Sequence, residues 1–204
     1  MTTLFLDIET LPAEEGKHET LRTLYAKKCA KAERQSHEAE DFEQYVLNTS
    51  FDGAFGRILC VGYAIDDEPT EALVGDEREM LRRFWDLARN ASLFVGHNLM
   101  EFDLPFIYQR SIVLRVRPSK KLSFARYRSD QIYDTMKEWS QWGRQQVGLE
   151  HLALALGIPT PKEGIDGSQV FAFYQAGKVD EIVQYCKRDV ETTRAVYKRM
   201  RFIG

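Results

Sequence analysis

The sequence predicts an α/β protein in which helices cover a mixed five-stranded sheet. Its first three strand-like segments follow one another with turn residues between them, a pattern typical of an antiparallel meander. One charged insert interrupts this pattern between the first and second segments. The later apolar segments alternate with helical patterns, which favours parallel strands joined by helices. Neither a G-x-G-x-x-G nor a Walker-type loop occurs, so no motif supports an all-parallel nucleotide-binding sheet.

The first half of the chain contains the predicted meander. Residues 4–9 form an apolar strand that ends in carboxylates, and Pro12 closes it. Residues 13–48 are charge-rich and helix-prone, so we expect one or two surface helices inserted between the first two strands. The second and third strands are predicted at residues 57–65 and 71–74, on either side of a turn.

The second half of the chain alternates between helices and short apolar runs. Asp76 and Glu79 resemble a capping box that opens a helix. The last helix carries apolar residues at a three-four spacing that can face a core. In chain order after Asp76, the predicted elements are this first helix, a strand at 92–96, a helix at 101–113, a short strand around Ile132, a helix at 149–156 and a final helix at 179–200.

Length and composition predict a single domain over residues 1–204, with a hydrophobic fraction of 44% that suits one sizeable core. No secretion signal or membrane-spanning window is recognisable, so we expect a cytoplasmic protein with no membrane partner. The three cysteines, Cys29, Cys60 and Cys186, are dispersed as reduced thiols would be. The four histidines show no metal-ligand spacing.

The charge distribution bears on nucleic-acid binding. A net charge of −3 argues against coating nucleic acid through bulk electrostatics, although an enzyme that binds a few nucleotides remains compatible with it. Residues 110–128 form a basic block without any Asp or Glu, which either follows a phosphate backbone or is a solvated loop. Its basic residues are Arg110, Arg115, Arg117, Lys120, Lys121, Arg126 and Arg128.

Asp7 and Glu9 are the first candidate metal ligands. Side chains at i and i+2 of a strand point the same way, so both carboxylates lie on one side of the strand's end. Mg²⁺ and Mn²⁺ prefer oxygen ligands, and two such ions can stabilise both the attacking and the leaving oxygen of a phosphodiester displacement. The alternative is an exposed acidic pair, which is common at strand ends.

Two further acidic residues lie at informative places. Asp103 follows Asn98 and Phe102 where a buried strand passes into a helix, although such an Asp can merely complement the helix dipole. Tyr185 and Asp189 are four residues apart on the last helix, and therefore on one face, at the border of its apolar stripe. Such a pair is often structural, whereas in a nuclease Asp189 can hold a metal while Tyr185 orients the attacking water.

These motifs, in this order, resemble the DEDD superfamily of 3′→5′ exonucleases, in the branch whose third motif is Tyr-x-x-x-Asp. The chain is similar to predicted exonucleases related to the proofreading domain of family-B DNA polymerases. The resemblance spans residues 4 to about 200 without the insert, and residues 148–159 and 167–168 also match the stretch before the third motif. The three motifs are Asp7-Ile8-Glu9-Thr10, Asn98 through Phe102-Asp103, and Tyr185-x-x-x-Asp189.

The resemblance implies a ribonuclease H-like fold, two divalent cations (Mg²⁺ or Mn²⁺), and release of nucleoside 5′-monophosphates from a nucleic-acid 3′ end. Single-stranded DNA is favoured over RNA as substrate. The implied metal ligands are Asp7, which would bridge both ions, Glu9, Asp103 and Asp189, with Tyr185 as the residue that orients water. The implied substrate contacts are Thr10 and Leu11 against the terminal nucleotide, with Asn98 and Phe102 near it.

Other interpretations stay open. The chain could be a catalytically silent nucleic-acid-binding or scaffold module of the same fold, or an RNase H-like endonuclease. Residues 13–48 could bind a protein partner. Asp134 is expected to be structural rather than a metal ligand, and His97 to make a structural hydrogen bond rather than act as the base.

Overall fold

A computed structural model describes residues 2–34, 40–124, 131–160 and 165–203, and its centre is the predicted five-stranded mixed sheet. The strand order is β3-β2-β1-β4-β5. β1 pairs antiparallel with β2 and parallel with β4, while β2–β3 is antiparallel and β4–β5 parallel. The strands are β1 (Thr3–Leu11), β2 (Arg57–Ile65), β3 (Glu71–Val74), β4 (Leu93–Gly96) and β5 (Ile132–Asp134).

The helices follow the predicted order, with two short ones that the sequence patterns did not predict, α5 and α7. No helix among the described residues is both long and apolar enough to cross a membrane. Turns of 3-10 helix span Glu15–Lys17, Asn48–Phe51 and Gly167–Gln169. The helices are α1 (His18–Arg34), α2 (Phe42–Leu47), α3 (Glu77–Asn90), α4 (Asp103–Val113), α5 (Thr135–Trp139), α6 (Leu149–Ala155), α7 (Val170–Gln175) and α8 (Val179–Met200).

The alternation of side chains along β1 separates the two faces of the sheet. Leu4, Leu6 and Ile8 pack into the main core with residues of α3 and α4. Phe5 points to the opposite face, where it meets Val190 of α8. The same two-residue period turns the carboxylates of β1 towards α8.

Helix α8 approaches the sheet very closely at Gly62, in the middle of β2. A Cβ atom at this position would lie 2.9 Å from the Cys186 sulfur and 3.1 Å from the Cys186 carbonyl oxygen. The backbone N–H of Gly62 donates a hydrogen bond to that sulfur at 3.2 Å. The missing side chain therefore allows the helix to pack directly on the backbone of β2, and this packing sets the depth at which α8 presents its polar residues.

The insert consists of α1 and α2, as predicted, but it is attached to the sheet rather than lying loosely on the surface. Leu21 and Val46 are buried between the two helices together with Ala13. The backbone N–H of Ala13 donates to the Thr49 hydroxyl at 2.8 Å. The turn that follows the insert is thereby fixed to the segment that leaves β1.

The basic block was expected either to follow phosphates or to be a solvated loop, and both expectations are wrong for Arg110, which lies within α4. This residue is 6% exposed and its guanidinium donates two hydrogen bonds to Glu77, at 2.8 and 2.9 Å. The Lys120 ammonium donates to the Ala91 carbonyl and is 5.8 Å from the ring centre of Phe94. Two further members, Arg126 and Arg128, lie outside the described residues.

Replacing Glu77 by alanine tests the Arg110 pair. The change leaves a buried guanidinium without its partner and also removes the acceptor of the Ile58 N–H, which is bonded to Glu77 at 2.9 Å. We expect a loss of about 3–5 kcal/mol in the free energy of unfolding, measured by urea denaturation. Glu79→Ala is the control, because the Glu79–Arg82 pair is exposed and should contribute less than about 1 kcal/mol. Equal losses in both variants would contradict a structural role for the buried pair.

Candidate metal centre

Asp7 and Glu9 lie together at the end of β1, facing α8. In the ladder with β2, Asp7 is opposite Gly62 and Glu9 is opposite Cys60. One carboxylate oxygen of each residue and the Cys186 sulfur all lie within 4.8 Å of one another. The register of β1 with β2 shifts directly after Glu9, between Glu9 and Thr10. The ladder is thus regular through both acidic residues and changes immediately beyond them.

Asp103 reaches the same region from the first position of α4. The pairing of β1 with β4 ends at Phe5 and Val95, so the later N–H groups on that side of β1 have no partner in the parallel ladder. The N–H of Ile8 donates to Asp103 Oδ1 at 3.0 Å, and Asp103 is 3% exposed. One oxygen of the carboxylate is held by the strand that carries Asp7 and Glu9.

The loop between β4 and α4 is held by Asp134, the last residue of β5. Its carboxylate accepts the backbone N–H groups of Asn98 and Met100, each at 3.0 Å, and also caps α5. Asp134 is 1% exposed. The Asp134 carboxylate thus accepts its hydrogen bonds from backbone N–H groups, which fits the structural role expected for it.

His97 is similarly occupied by neighbours. Its Nδ1 lies 2.9 Å from the Thr135 hydroxyl, and its Nε2 lies 2.7 Å from the Val147 carbonyl oxygen. Burial lowers the pKa of the ring. A neutral imidazole that donates Nε2–H to the carbonyl accounts for the Val147 contact. His97 therefore links loops around the site, as predicted, instead of facing a reacting group.

Tyr185 and Asp189 complete the cluster from α8. Burial raises the pKa of the Tyr185 phenol far above its ordinary value, and the carboxylates of Asp189, Glu9 and Asp7 raise it further. The phenol consequently stays protonated, so it cannot act as a general base at neutral pH. It can still donate or accept a hydrogen bond, which suits the orientation of a water molecule.

Burial and neighbouring carboxylates raise the pKa of all four carboxyl groups. Burial raises the pKa of Asp7 well above its ordinary value, and the charges of Asp103, Glu9 and Asp189 add to the effect. Burial also raises the pKa of Glu9. Burial raises the pKa of Asp103 to about 7, and that of Asp189 to about 6 although Tyr185 and Arg188 lower it. Negative charge is therefore costly here without a cation.

This donor set fits hard divalent cations. Carboxylate oxygens are the ligands that Mg²⁺ and Mn²⁺ prefer, and a cation would relieve the repulsion that raises these pKa values. Asp103 and Asp189 lie outside the group of Asp7, Glu9 and Cys186, whose ligand atoms are all within 4.8 Å of one another. Both nevertheless raise the pKa of Asp7, so the four carboxylates surround one region.

Cys186 is the neighbour of the carboxylates that the sequence patterns did not reveal. Its sulfur is 3.4 Å from Asp7 Oδ2, and burial raises the pKa of the thiol well above its ordinary value. A protonated thiol is a weak donor that can hold the Asp7 carboxylate in one orientation. The available signal was its position beside Tyr185 on the buried stripe of α8, which by itself indicates only packing.

The predicted substrate contacts border the carboxylates. The Thr10 hydroxyl donates to the Ser50 carbonyl at 2.7 Å, and Leu11 is 3% exposed in a cluster that includes Ile182. Asn98 has a positive φ of 59°, and its buried Oδ1 has no hydrogen-bond partner among the described residues. The Phe102 ring centre is 5.7 Å from that of Phe106. Their contacts with a nucleotide stay predictions.

Comparison with known proteins supports the same fold and family. Residues 65–204 match the family described as "Predicted 3'-5' exonuclease related to the exonuclease domain of PolB". The family B DNA polymerase from the hyperthermophilic archaeon Pyrobaculum calidifontis has a similar structure, with a TM-score of 0.69 at 16% identity. The similarity covers 98% of this chain but 24% of the polymerase chain. No curated protein matches the sequence. The sheet and its flanking helices are thus those of a ribonuclease H-like fold.

The raised pKa of Asp103 predicts an unusual pH dependence of stability. In the unfolded chain this carboxyl ionises near pH 4, whereas in the metal-free folded protein it does so near pH 7. The charge therefore destabilises the fold progressively from about pH 4 to about pH 7, and fully above that. Asp103→Asn keeps an acceptor for the Ile8 N–H and removes the charge. We expect it to raise the free energy of unfolding at pH 8 by an amount on the order of a few kcal/mol.

The measurement is urea denaturation in EDTA at a series of pH values. The gain from Asp103→Asn should shrink as the pH falls and disappear near pH 4. Asp67→Asn is the control, because Asp67 is exposed and the hydrogen bond and charge of Lys198 lower its pKa, so this variant should show no gain at pH 8. A destabilised or pH-independent Asp103→Asn variant would refute the assignment of a buried, repelled charge.

Proposed function

Because this chain belongs to the family of predicted 3′-5′ exonucleases related to the exonuclease domain of PolB, we propose that it is a metal-dependent 3′→5′ exonuclease. The observation that carries the proposal is the convergence of Asp7, Glu9, Asp103 and Asp189 with Tyr185 at the end of β1.

We further propose that residues 1–204 act as one exonuclease domain in the cytoplasm, with residues 13–48 available for a protein partner.

The four carboxylates are proposed to hold two divalent cations, Mg²⁺ or Mn²⁺. When bound, these ions would neutralise the anionic phosphodiester and lower the pKa of the attacking water. The protein supplies the arrangement of ligands. Ile8 holds Asp103, while the thiol of Cys186 contacts Asp7. Both contacts restrict ligand rotation before any cation or substrate arrives, which is the preorganisation that such a site needs.

Tyr185 is proposed to orient the water for attack on phosphorus. Its phenol lies among Asp189, Glu9 and Asp7 and remains protonated at neutral pH. The oxygen of the water would bond to phosphorus while the bond from phosphorus to the 3′ oxygen of the preceding nucleotide breaks. The water loses a proton as it bonds to phosphorus, and the 3′ oxygen takes up a proton as it leaves. The terminal nucleotide is thus released as a nucleoside 5′-monophosphate, and the shortened strand ends in a 3′ hydroxyl.

Single-stranded DNA is the proposed substrate, with the 3′ terminal nucleotide beside Thr10 and Leu11 and near Asn98 and Phe102. The free acceptor on Asn98 Oδ1 supports this placement, because a buried acceptor without a partner is costly and a bound nucleotide or water can satisfy it. The preference for DNA rests on the likeness to DNA polymerase proofreading domains.

Asp7→Asn tests the proposed activity most directly. Wild type should shorten 5′-labelled single-stranded DNA from its 3′ end in Mg²⁺ or Mn²⁺ and not in EDTA. The variant keeps the side-chain volume but loses a ligand charge. Its rate should fall by more than about 100-fold, because altering residues that only support a metal ligand already costs 10–100-fold. Asp86→Asn, an exposed change on α3, is the control and should be fully active.

Three substrates separate the alternatives in the same assay. Matched RNA shows which sugar is preferred. A circular single strand has no 3′ end, so its cleavage would identify an endonuclease. Unchanged turnover by Asp7→Asn would reject the metal assignment. If folded wild type cleaves no substrate, the activity proposal fails in favour of a silent binding module.

Tyr185→Phe tests the division of roles within the site. The change removes one orienting hydroxyl and no cation ligand, so kcat should fall by about 10–100-fold while KM stays nearly constant. Tyr108→Phe is the control, since this tyrosine is half-exposed on α4. Quenched-flow digestion of the same labelled strand provides both constants. A loss as large as that of Asp7→Asn would contradict a purely orienting role.

A further inference from the structure

Two cysteine side chains lie next to each other behind the candidate metal centre. Cys60 and Gly62 are two residues apart in β2, so both positions face α8. The Gly62 N–H donates to the sulfur of Cys186 in α8 at 3.2 Å. Burial raises the pKa of the Cys186 thiol, and a hydrogen bond with the Cys60 side chain raises it further. The two thiols, which are far apart in sequence, are thus in contact and form a thiol pair.

The thiol pair adjoins the carboxylates of β1. Cys60 is opposite Glu9 in the ladder between β1 and β2. The Cys186 sulfur lies 3.4 Å from Asp7 Oδ2, and Tyr185 is its neighbour on α8. A displacement of the Cys186 sulfur therefore changes the surroundings of a proposed metal ligand and of the residue proposed to orient water.

A small reagent can approach the thiol pair from the side of the carboxylates. Cys60 and Cys186 are both 0% exposed. Asp7, which contacts the Cys186 sulfur, is only partly buried. Hydrogen peroxide is little larger than water, so it can reach the sulfurs past Asp7, where a cation would also enter. The burial of the two sulfurs excludes bulkier oxidants.

Two thiols in contact can be oxidised to a disulfide by a peroxide. One sulfur takes an oxygen from the peroxide and becomes a sulfenic acid, while the other peroxide oxygen leaves as water. The sulfur of the second thiol then bonds to the first, and its proton leaves with the hydroxyl as a second water. One S–S bond has formed, two S–H bonds and one O–O bond have broken, and two electrons have passed from sulfur to the peroxide.

We propose that Cys60 and Cys186 are a modification site, which hydroperoxides convert into a disulfide that reversibly disables the metal centre. The new bond draws the Cys186 sulfur towards β2, so Asp7 loses its thiol donor and α8 is displaced beside the carboxylates. The inference rests on the proposed exonuclease function and adds regulation to it. In the proposed cytoplasmic location thiols are kept reduced, so the bond forms transiently, as in redox sensors.

Peptide mapping by mass spectrometry tests whether the bond forms. Metal-free protein in EDTA is treated with hydrogen peroxide until Cys29, a partly exposed thiol on α1, is fully oxidised. Remaining thiols are then alkylated. A linked peptide that contains Cys60 and Cys186 should appear, and dithiothreitol should abolish it. If Cys29 is fully oxidised and no linked peptide is present, the proposal is overturned.

Cation binding and nuclease activity test the consequence of the bond. In the linked protein, freed of EDTA and peroxide, the Kd for Mn²⁺ measured by calorimetry should rise about 10–100-fold. Changes in the residues that support metal ligands have effects of this size. The rate of digestion of 5′-labelled single-stranded DNA should fall by a similar factor, and dithiothreitol should restore both quantities. Linked protein with the Mn²⁺ affinity and rate of the reduced form would overturn the proposal.

Cys60→Ser and Cys29→Ser form a matched pair of variants. Cys60→Ser cannot form the bond, so peroxide treatment that links wild type should leave its Mn²⁺ affinity and rate unchanged. Cys29→Ser keeps the thiol pair and should be inactivated as wild type is. Cys60→Ala repeats the test with an apolar side chain, and urea denaturation identifies which variant is folded. Undiminished inactivation of the folded Cys60 variants would contradict the proposal.

The two readouts separate this inference from the proposed function. If wild type degrades single strands and the linked protein equals it in rate and Mn²⁺ affinity, the redox site is refuted and the exonuclease stands. If wild type cleaves nothing but the disulfide forms and reversibly weakens Mn²⁺ binding, the redox site stands and the exonuclease is refuted. Wild type that binds no Mn²⁺ would refute both.

Discussion

Four carboxyl groups lie together at one edge of the sheet and repel one another. The surrounding structure must hold them in place against this repulsion. Asp7, Glu9, Asp103 and Asp189 come from three separate elements, and burial together with mutual repulsion raises the pKa of Asp7. Neutral groups hold two of them in place, since the Ile8 N–H donates to Asp103 and the Cys186 thiol contacts Asp7. Such contacts fix geometry without cancelling charge, so the negative charge of the site is preserved.

The fold maintains this geometry through two devices, one on each side of the site. Gly62 lets α8 pack directly against β2, and this brings the sulfur of Cys186 to the backbone of the sheet. On the other side, Asp134 spends both carboxylate oxygens on backbone N–H groups of the loop before α4. Asp134, a buried carboxylate whose hydrogen bonds are satisfied, thus supports the loop that leads to Asp103, whose carboxylate can still accept further hydrogen bonds.

The turn that follows the insert joins it to the strand that carries Asp7 and Glu9. The two helices of the insert pack on each other, and the 3-10 turn Asn48–Phe51 after them bonds to Thr10 at the end of β1 and to Ala13. Arg110 meanwhile is directed inward to Glu77.

Local periodicity determined much of the fold from the sequence alone. The order of the strands and of the longer helices along the chain followed from it. So did the shared face of Asp7 and Glu9 and that of Tyr185 and Asp189, because strand and helix geometry orient side chains a fixed number of residues apart. The short helices α5 and α7 were missed, since so few turns give little periodic signal.

Tertiary structure alone decided which distant residues meet. Cys186 beside Asp7, Glu77 paired with Arg110, and Phe51 next to Phe102 each join residues far apart in the chain. From the sequence, Cys186 was only one of three dispersed thiols and Arg110 only a member of the basic block. Periodicity specifies the direction of a side chain relative to its own element, whereas its partner depends on how closely and at what register separate elements pack, and that is a property of the whole fold.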